Sequence, residues 1–321
     1  MLRIDIISVQ PTMFSGFLSE SIVARAVKKG LCEVNIVDLR EFGLGRWKKT
    51  DDAPYGGGPG MLMRCEPWFA AVEKCLASSD SCLAFSDSRL ASRVSCPGGE
   101  TSGEDMRHET RDAQKGQETR DTNRVRVIMT SPAGKTFTQR DAEMFAQLAT
   151  PTLPSNSNSL SNSHSNSLSN SNSNSFSPST SLPLHLIFMC GHYEGFDARI
   201  ETLATDKYSI GDFVMTGGEL AAAAMADAIV RLLPGALGGG PAATASESFG
   251  SEGMLEAPQY THPPEFRGMK VPEVLLSGDH RKIEAWKRTE ARKLTQAARP
   301  DLLRPVDAVS SPRQQKGAIP A

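Results

Sequence analysis

The chain has 321 residues, 39% of them hydrophobic, with a formal net charge of −2 and six cysteines. Near-neutrality excludes a uniformly basic nucleic-acid coat protein. The lack of about 18 uninterrupted apolar residues excludes a membrane-embedded chain, since the best candidate, Leu220–Leu233, is broken by Asp227. Arg3 and Asp5 fall where the apolar core of a secretion signal would lie, so no such signal is expected. Cys32, Cys65, Cys75, Cys82, Cys96 and Cys190 form no C-x-x-C pair and no zinc-like spacing. They read as reduced thiols of a cytoplasmic protein.

In chain order, Leu2–Val9 is apolar and rich in Ile and Val, which predicts a strand. Ser21–Lys29 predicts a helix stopped by Gly30. Glu33–Leu39 predicts a second strand. Pro67 is expected to open a helix to about Ala77, because the first turn lacks nothing when its N–H is missing. Val125–Thr130 is β-branched and apolar. Thr138 and Asp141 have the spacing of a capping box for a helix over Thr138–Ala149. Leu184–Cys190 reads as a buried strand, and Gly218–Leu233 as a helix ended by Pro234-Gly235. Strands alternating with helices argue for an α/β domain built on a mostly parallel sheet.

Two segments dilute the composition. Residues 78–123 are rich in Ser, Gly, Glu, Arg and Asp, and residues 151–183 form a Ser/Asn tract. Neither can bury enough apolar surface to offset chain entropy, so both are expected to be disordered surface insertions. The alternative for the Ser/Asn tract is a segment for partner binding or modification. Ala236–Ser246 reads as a mobile linker. Beyond it, Asp279 is an N-cap for a helix ending before Pro300, with Ile283, Trp286 and Leu294 turned to a small core. Arg281, Arg288, Arg292 and Arg299 share one face of that helix. From Glu265 onward twelve Lys/Arg face seven Asp/Glu, a surplus of five, which leaves −7 for the remainder of a chain totalling −2. A basic terminal region on an acidic body fits a nucleic-acid or phosphate-bearing partner; the alternative is a solvated helix face.

Three strand ends run into glycine-containing loops: Ser131–Lys135, Gly191–Gly195 and Ser209–Glu219. In open parallel sheets ligands sit beyond the carboxyl ends of strands, and glycines let a ligand approach the backbone. The three loops together point to a small-molecule pocket; the alternative is three tight turns. Gly134-Lys135-Thr136 imitates the end of a phosphate-binding P-loop, but Met129 stands where that motif needs glycine, so ATP binding is rejected. No G-x-G-x-x-G follows a strand. A fourth glycine-dense stretch, Asp51–Met61 (DDAPYGGGPGM), costs entropy without aiding packing, which favours a functional loop over a linker.

These segments, with Pro258–Thr261 and Pro263 (PQYT.P) and Val271–His280 (VPEVLLSGDH), occur in an order that closely resembles the bacterial tRNA (guanine-N1)-methyltransferase family, TrmD. The resemblance spans the chain apart from the two insertions and the last few residues. It implies a SPOUT-type α/β fold: a parallel sheet with a C-terminal trefoil knot, plus a small helical C-terminal domain. Nothing in local sequence reading foretells a knot. The implied organisation is a catalytic and cofactor-binding domain over 1–235, a linker over 236–250 and a helical tRNA-binding domain over 251–321. The implied reaction moves a methyl group from S-adenosylmethionine to N1 of guanosine 37 of tRNA, in a homodimer with active sites at the subunit interface.

By motif match, the resemblance assigns cofactor binding to Pro132, Gly191, Ile210, Gly211, Asp212, Phe213, Val214, Met215, Gly217 and Gly218. It assigns tRNA contact to Tyr55, Gly57, Gly58, Arg281, Arg288 and Arg292. Guanine N1 must lose a proton to become nucleophilic, which calls for a carboxylate, and charge developing on O6 calls for a guanidinium. Arg231 matches the family's catalytic arginine; on residues alone it reads as a helix C-terminal arginine complementing the dipole. Glu247, before Ser248-Phe249, stands where the family has aspartate, in a linker one residue longer on each side. It is the expected general base, with Glu252 or a water as the alternative. The family's magnesium dependence makes Glu194 the candidate to organise Mg2+. His192 reads equally as an orienting or RNA-contacting residue and as a solvent-exposed one. The aspartate-to-glutamate change keeps a second function open, a catalytically weak RNA-binding homologue that retains the cofactor pocket.

Overall fold

The computed structural model describes residues 1–78, 124–150, 183–239, 244, 247–250 and 252–303. The expected insertions at 78–123 and 151–183, apart from their boundary residues, and residues 240–243 and 245–246 of the expected linker lie outside the described residues. The described chain divides into two units, Met1–Gly238 and from Gly239 onward.

The first unit is organised by strands whose sequence pattern suits burial on both faces. β1 (Leu2–Ser8) pairs in parallel with β2 (Cys32–Asp38). Two very short strands, β3 (Asp51–Asp52) and β4 (Leu62–Met63), form an antiparallel pair that brackets the glycine-dense stretch. β5 (Val125–Thr136), β6 (Leu184–Met189) and β7 (Asp206–Ser209) complete a sheet of order β2-β1-β6-β5-β7, every pairing of which is parallel. All six residues of β6 are buried, as an unbroken apolar run at the centre of a parallel sheet requires.

Each face of the sheet carries its own core. Leu2, Ile4, Ile6, Leu186 and Phe188 pack on one side with α2 (Ile22–Lys28), α4 (Gln139–Ala149) and α5 (Glu219–Val230). Ile7, Val127, Met129, Ile187 and Met189 face the other, against Trp68, Ala71 and Val72 of α3 (Cys65–Ala77). A short α1 (Ser15–Glu20) precedes α2 and was not legible in the sequence. The Ser21 side chain caps α2, accepting from the N–H groups of Val23 and Ala24. The capping box of α4 forms as expected, with the Thr138 N–H donating to Asp141 Oδ2 at 2.9 Å.

Two local expectations need correction. α3 begins at Cys65, so Pro67 is its third residue; the first turn has no acceptor for that N–H, and proline is tolerated there. Ser131–Lys135 is not simply a loop after a strand. β5 continues to Thr136, with Thr130 and Lys135 both registered on Tyr208 and the intervening residues bulged out of the ladder.

Several buried polar groups inside this unit are paired, while Trp68 Nε1 and His185 Nδ1 have no hydrogen-bond partner among the described residues. Asp5 and His185 are both about 1% exposed and meet at 2.9 Å. Burial pushes the Asp5 carboxyl up, but hydrogen bonds from His185, Arg3 and Asn35 outweigh it and hold it below the usual carboxylate range. Arg126 on β5 grips Asp206 on β7 with two hydrogen bonds of 2.7 and 2.5 Å.

The second unit contains a two-residue hairpin, β8 (Glu265–Phe266) with β9 (Met269–Lys270), a short α6 (Glu273–Leu276) and α7 (His280–Ala298). Asp279 caps α7, its carboxylate accepting from the Lys282 N–H. The buried residues of α7 are Ala291 and Thr295. Ile283 and Trp286 are half-buried, but Leu294 is exposed, contrary to expectation, because the inward face is set by Ala291 and Thr295.

Candidate functional site

The carboxyl ends of β5, β6 and β7 converge on a cavity of about 360 Å3. Its wall is made by the three glycine-containing loops. Pro132 comes from the first, Gly191 from the second, and Ile210, Gly211, Phe213, Val214, Met215, Gly217 and Gly218 from the third. Asp212 is exposed and does not line the cavity.

The loops are locked together through backbone. The Gly218 N–H donates to the Gly191 carbonyl at 2.7 Å, and His192 bridges Gly217 across an isolated antiparallel pair. A Cβ on Gly218 would collide with Thr130 Oγ1 and press on the Gly191 nitrogen, so only glycine closes this corner. Thr130 donates to the Met189 carbonyl at 3.0 Å and accepts from the Gly191 N–H at 3.3 Å. Lys135 fixes the far end of the bulge by pairing with Asp141 at 2.5 Å, and the Tyr208 hydroxyl donates to the same carboxylate at 3.3 Å. Burial raises the Tyr208 hydroxyl to about 12, so it stays a donor at neutral pH.

Behind the wall lies a buried carboxylate that sequence reading missed. Glu219, the first residue of α5, is 2% exposed and accepts from Ser8 Oγ at 2.8 Å. His192 Nδ1 lies 3.9 Å from its other oxygen, and His192 Nε2 lies 3.5 Å from Gln10 Nε2. Ser8 ends β1 and Gln10 follows it, far away in sequence. Met129, Tyr208 and Ala221 also line the cavity without a motif signal, because their contribution depends on how strands neighbour one another.

The chemistry of the lining is selective. Among the described residues it includes the carboxylates Glu194 and Glu201 and no lysine or arginine. Such a cavity suits a ligand bearing positive charge and disfavours a nucleoside phosphate. Glu194 is exposed; its N–H donates to the Met61 carbonyl at 3.1 Å, and its side chain packs over Gly60. Among the described residues no three His, Cys, Asp or Glu side chains converge on a point. The residues present therefore form no protein cage for magnesium.

The glycine-dense stretch lies beside the second loop. Tyr55 is 100% exposed, and Gly57 and Gly58 have φ of 78° and 130°, in the region L side chains avoid. Arg231 is the C-cap of α5 and is half-buried.

In the second unit, Glu247 is half-buried and lines a separate cavity of about 700 Å3 with Glu252, Glu256, Tyr260, Trp286 and Arg288. A tight turn presents it: the Gly250 N–H donates to the Glu247 carbonyl at 3.1 Å and the Phe249 N–H to the Met254 carbonyl at 2.8 Å. Arg281, Arg288 and Arg292 are exposed on α7, with Arg288 paired to Glu252 at 2.5 Å.

The chain matches the family model described as tRNA (Guanine-1)-methyltransferase TrmD over residues 2–91 and 167–305. A Latilactobacillus sakei protein described as tRNA (guanine-N(1)-)-methyltransferase is 38% identical over 315 residues, covering 98% of this chain and 95% of its own. Proteins of the same description from Anaeromyxobacter sp. and Geobacillus kaustophilus are each 39% identical, covering 94% of this chain and 90% and 91% of their own.

Proposed function

The chain belongs to the tRNA (guanine-N1)-methyltransferase family, and from that premise we propose that it methylates N1 of guanosine 37 in tRNA. The methyl donor is S-adenosylmethionine, whose sulfonium supplies an electrophilic methyl group when bound. The observation that carries this reading is the cavity at the carboxyl ends of β5, β6 and β7, built from three motif loops and lined, among the described residues, by carboxylates without any lysine or arginine. A donor with a sulfonium and an ammonium group fits that lining; ATP and dinucleotides do not.

The roles follow from the needs of the substrate. Glu247 accepts the N1 proton as general base. Arg231 stabilises the negative charge that builds on O6. Pro132, Gly191 and the Ile210–Gly218 loop hold the donor, and the fixed glycine corner at Gly218 orients it. Tyr55, Gly57, Gly58, Arg281, Arg288 and Arg292 serve the tRNA. The fold reading includes the family's trefoil knot and a helical tRNA-binding domain after the linker. The protein works as a cytoplasmic homodimer.

The test is methyl transfer from radiolabelled donor to a tRNA transcript. Wild type labels a transcript carrying guanosine 37 and not one carrying adenosine there. Glu247→Gln lowers single-turnover transfer by about 10²- to 10⁴-fold, and Arg231→Ala lowers it by about 10²- to 10³-fold. Glu247→Asp retains transfer. A wild type without transfer, restored by Glu247→Asp, identifies the natural chain as an RNA-binding homologue and overturns the enzyme reading.

A further inference from the structure

The first unit carries an aromatic and basic feature that none of the roles above uses. Residues 44–49 form a tight hairpin after β2. Leu44 and Lys49 exchange backbone hydrogen bonds of 2.9 and 3.0 Å, and the Lys48 N–H donates to the Gly45 carbonyl at 3.2 Å. Lys48 has φ of 49°, and Gly43 lies so close to the Lys48 backbone that a Cβ there would not fit. The tip is thus held by main chain. At its apex Trp47 is 83% exposed, with the Arg46 guanidinium 5.7 Å from its ring centre.

A single exposed apolar residue is ordinary. Trp47 differs because it is interleaved with Arg46, Lys48 and Lys49. Tyr193, 45% exposed on the second cavity loop, feels the charges of Asp51 and Arg40, which flank the hairpin. Tyr55 is within electrostatic reach of Arg199, near the end of the same cavity loop. Two neighbouring acids are engaged, Glu41 with Lys74 at 3.4 Å and Asp52 with Arg64 at 2.6 Å and Lys49 at 3.9 Å. Positive charge around an open indole complements single-stranded RNA, which is recognised by base stacking and phosphate neutralisation.

We propose that the Arg46-Trp47-Lys48 tip is an RNA contact: Trp47 stacks on an unpaired base of the tRNA, and Arg46 and Lys48 neutralise phosphates beside it. This rests on the tRNA reading above and adds a contact in the first unit that no motif marked. Trp47 is exposed, so its replacement leaves the fold intact, with an unchanged melting temperature as the control.

The experiment titrates full-length protein with an unmodified tRNA transcript and, separately, with S-adenosylmethionine in a calorimeter. Trp47→Ala weakens tRNA binding by about tenfold or more, while Trp47→Phe, which keeps a ring, stays within about threefold of wild type. Replacing Arg46 and Lys48 together by Gln lowers the slope of log Kd against log salt by about 1 to 2. Donor affinity is the same in all variants. A Trp47→Ala variant that binds tRNA like wild type, or an unchanged salt slope, overturns the proposal alone. A Trp47→Ala variant whose sedimenting mass changes assigns the tip to a contact between copies of the chain and likewise overturns it. A wild type that binds no tRNA overturns the methyltransferase reading together with this one.

Discussion

In the first unit β6 has all six residues buried between two apolar layers; in the second, the nineteen residues of α7 bury only Ala291 and Thr295. Every fully buried apolar residue among those described, except Ala291, lies in the first unit. The first unit therefore draws its rigidity from burial of apolar area. The second relies on caps, turns and one polar anchor, Thr295, whose hydroxyl accepts from the Leu255 N–H at 2.9 Å and donates to the Ala291 carbonyl at 2.7 Å. The difference suits the proposed labour. A methyl donor must be held to within a fraction of an ångström, which a packed sheet edge can do, whereas an RNA surface is served by an exposed, charged helix.

The comparison can be broken most severely at β6. Phe188→Ala should cost about 3–5 kcal/mol, because a fully buried ring leaves a cavity between strand and helices, and urea melts should show it. If the loss is under about 1 kcal/mol, the first unit is not held by its core. The next effect is expected at Asp5. Its carboxyl is depressed in the folded state, so its stabilisation is present above the unfolded value of about 4 and drains as pH falls through the lower folded value. Asp5→Asn should cost about 1–3 kcal/mol at neutral pH and flatten the acid limb of stability measured from pH 6 downward. An unaltered acid limb would show that another carboxylate governs it.

Thr295→Val should leave the Leu255 N–H without its acceptor, at a cost of about 1–3 kcal/mol. Hydrogen exchange should quicken at Leu255 and along α7 while β1 and β6 keep their protection. Protection lost equally in both would mean that the two units unfold as one. Smallest of all, Leu294→Ala should change stability by no more than about 0.5 kcal/mol, since Leu294 faces solvent; a loss near that of Phe188→Ala would show that α7 is buried by something outside the described residues.

Much of the sheet was legible because strong local signals coincided with it. β1, β2 and β6 are apolar runs bounded by breakers, and the α4 capping box and the Asp279 cap are short-range chemistry that needs no partner. β7 was expected only as the strand end before the Ser209–Glu219 loop, without bounds, because Asp206-Lys207-Tyr208-Ser209 has no apolar run; its extent is set by pairing with β5 and the Arg126–Asp206 clasp. The bulge over Ser131–Lys135 was missed for a similar reason, since Tyr208 receives both Thr130 and Lys135. Of the ten residues that the family resemblance assigned to the donor, nine line the cavity and Asp212 does not. Glu219 escaped because a glutamate opening a helix looks like a dipole partner, and its burial under Ser8 depends on a strand over two hundred residues away.

The sequence alone determined the alternation of strands and helices, the family resemblance and the identity of the three loops, because periodicity, caps and motif order are written in neighbouring residues. Tertiary structure decided which loops meet and what stands behind them. It joined Gly191 to Gly218, put Glu219 beneath Ser8 and beside His192, lined the cavity with no lysine or arginine among the described residues, and raised Trp47 on a main-chain hairpin into solvent. Those outcomes depend on strand order and burial, which are set by packing between segments far apart in the chain.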